Sequence, residues 1–159
     1  MNTIYLLLGS NMGNSKAQLL KAIVQIEKCI GNVKRRSSLY STAAWGNINQ
    51  PDFLNQVVIV ETELNAMRAM DTILQIEMKM GRQRTIKNAP RIIDIDILFF
   101  NKEIIDQEQL QVPHPQIQNR RFVLVPLNQL SPNFKHPVLQ KTVHQLLLQG
   151  KDHLNVKKF

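Results

Sequence analysis

Two aspartates lie one residue apart inside a run that is otherwise typical of a buried β-strand. The segment APRIIDIDILFF, residues 89–100, contains Asp94 and Asp96 among isoleucine, leucine and phenylalanine. Side chains two positions apart on a strand point to the same face, so the Cα atoms of the two acids are expected roughly 7 Å apart. Two unit charges at that separation repel by about 2 kcal/mol at an effective dielectric constant of 20, and burial adds a desolvation cost. The pair therefore requires a compensating positive charge.

The remainder of this segment is apolar on both faces of the expected strand. Only the two acids interrupt it, so we expect other elements to cover the strand on both sides. Strict alternation predicts that Ile92, Leu98 and Phe100 share the face of the aspartates, and that Ile93, Ile95, Ile97 and Phe99 lie on the opposite face.

The compensating charge has two possible sources. Nearby arginines, such as Arg91, would make a structural ion-pair network, which is the commoner arrangement for an isolated Asp-x-Asp. Alternatively, the acids hold one or two Mg²⁺ ions, because Mg²⁺ prefers a few carboxylates together with waters and substrate phosphates. The preceding loop favours Mg²⁺, since guanidinium groups bind phosphate oxygens in bidentate fashion. The basic residues of that loop, GRQRTIKNAPR, are Arg82, Arg84, Lys87 and Arg91.

Other segments offer further groups for binding a phosphate or a flat ring. VPHPQIQNRRF, residues 112–122, supplies His114 between two prolines, with Arg120 and Arg121 beyond it. GSNMGN, residues 9–14, could hold an anion through backbone N–H groups, although it matches no established phosphate-binding motif. Each aromatic residue alone is more typical of structural packing. Together with the amide of Asn55, the aromatic rings of Trp45, Phe53 and Phe122 would suit a planar heterocycle.

These groups must be positioned by elements whose order can be read from hydrophobic periodicity. A strand at 3–8 precedes a helix that begins near Ser15, with Gln18 completing a capping box, and ends at Gly31. An exposed strand at 33–42 and a strand beginning at Phe53 follow. A second helix, lined by methionines and Ile73, ends at Gly81, and the acidic strand comes next.

The order β-α-β-β-α-β predicts an α+β fold with a ferredoxin-like core, in which an antiparallel sheet carries both helices on one face. The C-terminal third is expected to add to this core. We expect a hairpin at 102–115, a strand or strand-helix junction at 120–130, and a last helix that Gly150 ends.

Composition restricts the class of protein. The 159 residues fit one domain, 1–159, and no linker or repeat divides them. Cys29 is the only cysteine, which argues against a disulfide framework; we expect it in the core of a cytoplasmic protein. No segment approaches the roughly 20 apolar residues that span a bilayer. Twenty Lys and Arg against 12 Asp and Glu give a net charge of +8, which attracts polyanions, although the tail KDHLNVKKF is more typical of a solvated or frayed end.

The chain resembles the 6-hydroxymethyl-7,8-dihydropterin pyrophosphokinase family of folate biosynthesis. The resemblance is carried by GSN at 9–11, QPDFLN at 50–55, IEMKMGRQR at 76–84, APRIIDIDILFF at 89–100, and VPHP with NRRFVLVPL from 112. It implies a ferredoxin-like fold and transfer of pyrophosphate from MgATP to the pterin hydroxymethyl group, releasing AMP. We also expect a cytoplasmic monomer that binds neither nucleic acid nor membrane.

The resemblance also implies roles for individual residues. Asp94 and Asp96 would hold two Mg²⁺ ions and, with Arg82 and Arg91, would form the catalytic set. The ATP-binding residues would be Glu77, Arg82, Arg84, Lys87, Arg91, Ile97, His114 and Arg120. The pterin-binding residues would be Gly9, Thr42, Ala43, Trp45, Phe53, Asn55, Asp94 and Phe122.

The sheet topology and the basic charge also suit a small RNA-binding domain. Such domains stack bases on aromatic residues of an open sheet face. The first expected strand lacks an exposed aromatic residue for this purpose, and the two acids beside the basic loop would repel a nucleic-acid backbone. The sequence therefore favours the enzyme.

Overall fold

An antiparallel sheet forms the centre of the molecule. The computed structural model describes residues 1–43, 50–82 and 90–159. The strands are β1 (Asn2–Ser10), β2 (Gly31–Arg36), β3 (Tyr40–Thr42), β4 (Phe53–Thr62), β5 (Asp94–Phe100), β6 (Ile105–Asp106), β7 (Gln111–Val112) and β8 (Val156–Lys158). The helices are α1 (Ser15–Cys29), α2 (Ala66–Lys79), a 3₁₀ turn (Ile117–Asn119), α3 (Arg121–Leu130) and α4 (Val143–Gln149).

The strand order confirms the predicted core. The main sheet runs β5-β1-β4-β3-β8, and β2 pairs with β4 farther along the same edge as β3. Neighbouring strands are antiparallel throughout. The predicted exposed strand at 33–42 is therefore two strands, β2 and β3. The predicted hairpin at 102–115 is the separate β6-β7 ladder.

Helices α1 and α2 cover one face of the sheet. Ile4, Leu6 and Leu8 of β1 pack there against residues that recur at helical spacing in both helices. The helix positions match the sequence prediction, but the predicted capping box at Ser15 is wrong by one residue. Asn14 is the N-cap, and its side chain accepts a hydrogen bond from the Ala17 N–H.

Helices α3 and α4 cover the other face. Residues 121–130, expected as a strand or a strand-helix junction, form a helix of 10 residues. Valine, phenylalanine and proline give this segment a strand-like composition, but tertiary packing decides the outcome. Four buried residues of α3 recur at helical spacing and pack with residues of the sheet: Val123, Leu124, Leu127 and Leu130.

The predicted alternation holds from Ile93 to Leu98 but is wrong for Phe99 and Phe100, and for Ile92 before the strand. Tyr5 pairs with Phe99 and Leu6 pairs with Ile97, so Leu98 is an extra residue in a β-bulge. Leu98 and Phe99 therefore both face α3 and α4, whereas Phe100 joins the α1-α2 side. Ile92, which precedes the strand, also packs on the α1-α2 side. The expectation that the strand is covered on both faces is confirmed.

Two further expectations are corrected. Cys29 is exposed, since it is the last residue of α1 and lies off the helix's buried stripe. The tail is solvated, since six of its nine residues are exposed, but it is not frayed, because Val156–Lys158 pairs with β3 as β8. Among the described residues, no helix has the length and apolar character needed to cross a membrane.

Candidate active site

An ion-pair network occupies the end of the sheet where β5 begins. Asp94 Oδ1 accepts from Arg82 Nη1 at 2.8 Å, and Asp94 Oδ2 accepts from Arg91 Nη1 at 2.8 Å. Arg82 Nη1 also lies 2.6 Å from Glu77 Oε2. The arginine source of compensating charge, one of the two alternatives that the sequence left open, is therefore the one seen at Asp94.

Glu77 and Arg82 connect the end of α2 to the start of β5. The Glu77 side chain is 2% exposed and accepts the Ile95 N–H at 2.9 Å. Gly81, at φ +93°, turns the chain out of α2 so that Arg82 follows directly. Burial alone would lower the pKa of Arg82, but the charges of Asp94 and Glu77 outweigh it and raise the pKa. Arg82 is therefore a fixed cation.

Asp96 differs sharply from Asp94. Burial, followed by the negative charges of Asp94 and Glu77, raises the pKa of Asp96 from 3.8 to about 7, against the opposing pull of Arg82 and Arg120. Its side chain keeps partial access to solvent. Among the described residues, none donates a hydrogen bond to its carboxylate. The charge of Asp96 is therefore only partly compensated within the described part of the chain.

An open cavity of about 340 Å³ adjoins Asp96. The sequence-predicted residues Glu77, Ile97 and His114 line it together with Asp96, so the fold brings these four side chains to one place. The sequence analysis missed the rest of the wall. Two sequence patterns could have indicated these residues: the methionine-rich face of α2 and the hairpin pattern. They contain Met70, Ile73, Leu74, Leu110 and Gln111.

His114 is held as a neutral imidazole at the rim of this cavity. Its backbone N–H donates to the Leu98 carbonyl at 3.0 Å, and its Nδ1 accepts the Gln116 N–H at 3.1 Å. Burial, and secondarily the charge of Arg120, lowers its pKa. Because Nδ1 is an acceptor, the ring proton lies on Nε2, which is a hydrogen-bond donor.

Arg120 and Phe122 stand at the start of α3. The Arg120 guanidinium lies 5.8 Å from the centroid of the Phe122 ring. Burial lowers the pKa of Arg120, while the charges of Asp96 and Asp94 act to raise it. Arg120 therefore lies close enough to Asp94 and Asp96 for its charge to interact with theirs.

Five of the predicted pterin-side residues, Gly9, Thr42, Phe53, Asn55 and Asp94, lie at the same end of the sheet. Gly9 of β1 pairs with both Asn55 and Asp94, and Thr42 pairs with Phe53. A Cβ on Gly9 would lie 2.8 Å from Asn55 Oδ1, so only glycine admits the amide in its observed position. Buried polar atoms without a hydrogen-bond partner in the described part of the chain gather here: Ser10 Oγ, Thr42 Oγ1 and Asn55 Nδ2. Sequence reasoning missed Ser10, although it lies within the GSN motif.

Asn11, the last residue of that motif, has a positioning role that the sequence analysis did not assign. Its Oδ1 accepts the Arg91 N–H at 2.8 Å, and its own N–H donates to the Arg91 carbonyl at 3.0 Å. Its Nδ2 donates to Gln50 Oε1 at 2.9 Å and to the Pro51 carbonyl at 3.2 Å. One buried amide thus connects the segment before β4 to the segment before β5.

Three predicted site residues, Trp45, Arg84 and Lys87, lie outside the described residues. Ala43 is the last described residue before the first gap and is exposed. The roles given to these four residues stay predictions.

Acids, arginines and a neutral imidazole beside a cavity lined by both apolar and polar side chains are typical of an enzyme that acts on a phosphate-bearing substrate. The comparisons agree with this class. A model of the 7,8-dihydro-6-hydroxymethylpterin-pyrophosphokinase family matches residues 5–132. The chain belongs to this family, and is therefore a transferase of the diphosphokinase type. This confirms the resemblance seen in the sequence.

Individual relatives support the assignment. The chain is 39% identical over 145 residues to the 2-amino-4-hydroxy-6-hydroxymethyldihydropteridine pyrophosphokinase of Aquifex aeolicus, covering 91% of this chain and 90% of that protein. It is 37% identical over 160 residues to the Haemophilus influenzae protein of the same name, covering 99% and 98%.

Solved structures agree on the fold. A wild-type HPPK-DHPS chain of Plasmodium falciparum, crystallised with pteroate, superimposes with a TM-score of 0.76 at 21% identity. The match covers 93% of this chain but 42% of that chain, so this protein spans less than half of the longer polypeptide.

Proposed function

We propose that this protein transfers pyrophosphate from ATP to 6-hydroxymethyl-7,8-dihydropterin, giving AMP and the pterin pyrophosphate. The observation that carries the proposal is the convergence of two unlike sets of groups at one end of the sheet. One set consists of unsatisfied polar atoms around Gly9 and Asn55. The other consists of Asp94, Asp96 and the arginines beside them. A ring with a donor-acceptor edge and a polyphosphate are the two ligands that these sets suit.

The pterin would lie against the ends of β1, β3 and β4. Asn55 Nδ2 and Thr42 Oγ1 are buried without partners among the described residues, and such atoms are costly unless a ligand satisfies them. An amide can both donate to and accept from the edge of a pterin ring. Phe53 and Phe122, at the starts of β4 and α3, would provide the stacking faces.

The nucleotide would use the cavity lined by Glu77, Ile97 and His114. The apolar part of its lining, which includes Met70 and Ile73, suits a purine, and the Nε2–H of neutral His114 would donate a hydrogen bond to the nucleotide. Glu77 is occupied by Arg82 and the Ile95 N–H, so it would shape the cavity floor.

Asp94 and Asp96 are suitable for holding two Mg²⁺ ions with the triphosphate. Within the described ranges no group of three or more His, Cys, Asp or Glu side chains could hold a metal ion alone. Mg²⁺ commonly binds through one or two carboxylates plus water and substrate phosphates, and the poorly compensated charge of Asp96 fits that donor set. Bound there, Mg²⁺ would neutralise charge on the phosphates and on the transferring group.

The arginines would exchange partners when the nucleotide binds. Arg82 and Arg91 each donate to one oxygen of Asp94 in this structure. A divalent cation that takes over the Asp94 carboxylate would leave both guanidinium groups with donors to direct at phosphate oxygens. In the absence of nucleotide, the ion pairs with Asp94 would therefore hold the guanidinium groups of Arg82 and Arg91 close to the positions of the phosphates.

In the reaction we propose, the hydroxymethyl oxygen attacks the β-phosphorus of ATP in line with the departing AMP oxygen. Asn55 and the phenylalanines would orient the alcohol. Arg82, Arg91 and Arg120 would stabilise charge on the transferring group and on AMP. Most of the acceleration would then come from positioning and electrostatics.

The test is a product assay with purified protein, ATP, Mg²⁺ and 6-hydroxymethyl-7,8-dihydropterin. We expect AMP and pterin pyrophosphate in equal amounts, whereas ADP as the nucleotide product would reject pyrophosphate transfer. Omitting the pterin distinguishes transfer from ATP hydrolysis. Omitting Mg²⁺ tests the cation, and turnover unaffected by chelation would contradict the metal assignment.

The RNA-binding alternative loses its structural basis. The sheet face that such domains leave open is covered here by α3 and α4. Cytoplasmic location, a monomeric state and a single domain over 1–159 stay predictions of this proposal.

A further inference from the structure

We infer that the C-terminal strap, residues 151–159, positions the pterin pocket, and that Asp152 is its key positioning residue. This inference rests on the proposed function. The strap connects two elements that carry predicted pterin-side residues but are not neighbours in the chain. These elements are β3, which contains Thr42, and the start of α3, which contains Phe122.

Asp152 caps α3. The residue that precedes the helix, Arg120, makes no side-chain cap. Asp152 Oδ2 instead accepts the Arg121 N–H at 2.9 Å from 31 residues away in the chain. A carboxylate at this place satisfies one of the free N–H groups of the first turn and interacts favourably with the helix dipole. The backbone between Arg120 and Phe122 is thus held from outside the helix.

The same carboxylate also shapes the strap. Asp152 Oδ1 accepts the Leu154 N–H at 2.9 Å, which turns the chain toward β3. Asp152, Leu154 and Val156 are half-buried, while the residues between them are exposed, so alternate side chains face inward.

Beyond this turn, the strap completes the sheet beside Thr42. Val156 pairs with Thr42 and Lys158 with Tyr40, and the Phe159 N–H donates to the Leu39 carbonyl at 2.9 Å. Strand β3 is only 3 residues long, and it is held by β4 on one side and by β8 on the other. A strand this short depends on both neighbours, so the strap fixes where Thr42 stands relative to Phe53.

One segment therefore sets the spacing between the Thr42 side of the pocket and the Phe122 side. The nucleotide cavity is lined by residues of α2, β5 and the β6-β7 ladder, none of which hydrogen-bonds to the strap among the described contacts. Loosening the strap should consequently weaken pterin binding more than ATP binding. Because Arg120 directly precedes Arg121, whose N–H the strap holds, we expect kcat to fall as well.

The experiment compares Asp152→Ala with Asp152→Asn and with His153→Ala, a control at the exposed neighbouring position. For Asp152→Ala we expect the KM for the pterin to rise about fivefold, the effect of losing one helix cap, with the KM for ATP changed by less than about twofold. Asp152→Asn should restore part of the affinity, because its one amide oxygen can still accept the Arg121 N–H, whereas its amide nitrogen cannot accept the Leu154 N–H. Direct titration of 6-hydroxymethylpterin, followed by its own fluorescence, should give the same ranking.

The outcomes separate the two proposals. A wild-type protein that makes no AMP refutes the proposed function, while the pterin titration still tests the strap. A wild-type protein that makes AMP, with Asp152→Ala matching His153→Ala, refutes the strap alone. Equal increases in both KM values would also refute it, since they would indicate general loosening. If Asp152→Ala does not fold, hydrogen exchange of the wild type tests the strap instead. Added pterin should then slow amide exchange in residues 40–42, 121–124 and 151–158 together, and unchanged exchange in 151–158 would refute the proposal.

Discussion

Buried polar groups occur in two regions of this molecule, and the two regions treat them in opposite ways. Around Gly9 and Asp96, side-chain polar atoms are buried without partners among the described residues, and the pKa of Asp96 is raised. Between the sheet and α3, His136 is 4% exposed, and its Nδ1 accepts the N–H groups of Val138 and Leu139 at 3.2 and 3.0 Å. Burial of a polar group alone therefore does not mark a functional site, whereas a buried polar group without a hydrogen-bond partner indicates a position where a ligand binds.

The region around His136 is built as a structural core. The ring of His136 meets Phe99 edge-on at 5.7 Å, and Phe99 packs against Tyr5 at 5.6 Å and Phe134 at 4.5 Å. Tyr5 places its hydroxyl 2.8 Å from Ser131 Oγ. The Tyr5 hydroxyl and His136 Nδ1 both have hydrogen-bond partners. The layer therefore contributes stability that can offset the cost of the charged end of the sheet.

The largest expected effect tests the charged region. Asp96→Ala should lower kcat by roughly a thousandfold, because loss of a carboxylate that binds metal leaves phosphate charge uncompensated. The urea midpoint should not fall, since the removed charge is poorly compensated. Steady-state AMP formation and urea unfolding measure the two quantities. Asp71→Ala, on the exposed face of α2, is the matched control, and near-normal turnover by Asp96→Ala would refute the metal assignment.

The second prediction concerns the aromatic layer, where a substitution should lower stability and leave substrate binding nearly unchanged. Phe99 is 0% exposed, so Phe99→Ala should lower the free energy of unfolding by about 3 kcal/mol through a cavity. Both KM values should change by less than about twofold at a temperature where the variant is folded. Urea unfolding with parallel kinetics tests this. A large change in KM without loss of stability would show that the layer shapes the site directly.

A smaller effect is expected at Asn55, where pterin binding and stability should respond differently to the same substitution. Asn55→Ala should raise the KM for the pterin about tenfold, since one amide pairing is worth roughly 1.4 kcal/mol. Its free energy of unfolding should stay constant or rise, because the amide nitrogen is buried without a described partner. Pterin titration and urea unfolding are the measurements. Marked destabilisation would identify Asn55 as a structural residue.

The smallest effect concerns pH. Burial lowers the pKa of His136 below 6.5, so its contribution to stability is present above pH 6.5 and is lost as pH falls through the folded-state pKa. The raised pKa of Asp96 has the opposite sign, because its contribution is present below pH 3.8 and is lost as pH rises through about 7. Urea midpoints of wild type and His136→Gln in magnesium-free buffer should converge as the pH is lowered from 8 to 5. Parallel curves would contradict this.

The sequence predicted the elements better than the contacts between them. Helices α1 and α2 and the core strand order follow from local periodicity and element order, which are properties of neighbouring residues. The bulge at Leu98 depends on which β1 residue faces it, and the strand β8 depends on an edge that β3 provides; neither is encoded locally. The helix α3 was missed because its β-branched and aromatic residues suit a strand until the sheet beneath it is considered.

The candidate site shows the same limit. Spacing brought Asp94, Asp96 and the arginines to attention, but spacing could not tell which cation would meet which acid. In the structure Asp94 accepts hydrogen bonds from both Arg82 and Arg91, whereas neither arginine donates a hydrogen bond to Asp96. The orphan atoms of Ser10 and Thr42 could not be foreseen either, because satisfaction of hydrogen bonds is decided by three-dimensional contacts.

The bulge at Leu98 divides β5 into two parts, each of which pairs with β1 in regular register. Ile97 matches Leu6 and Phe99 matches Tyr5, so each half is already in step with β1 without Leu98. Excising that leucine would leave an unbroken ladder, with the acids at one end and the phenylalanines at the other each keeping their present orientation. Substitutions around Asp94 and Asp96 at one end of β5, and around Phe99 and Phe100 at the other, can therefore accumulate independently, because neither part sets the register of the other.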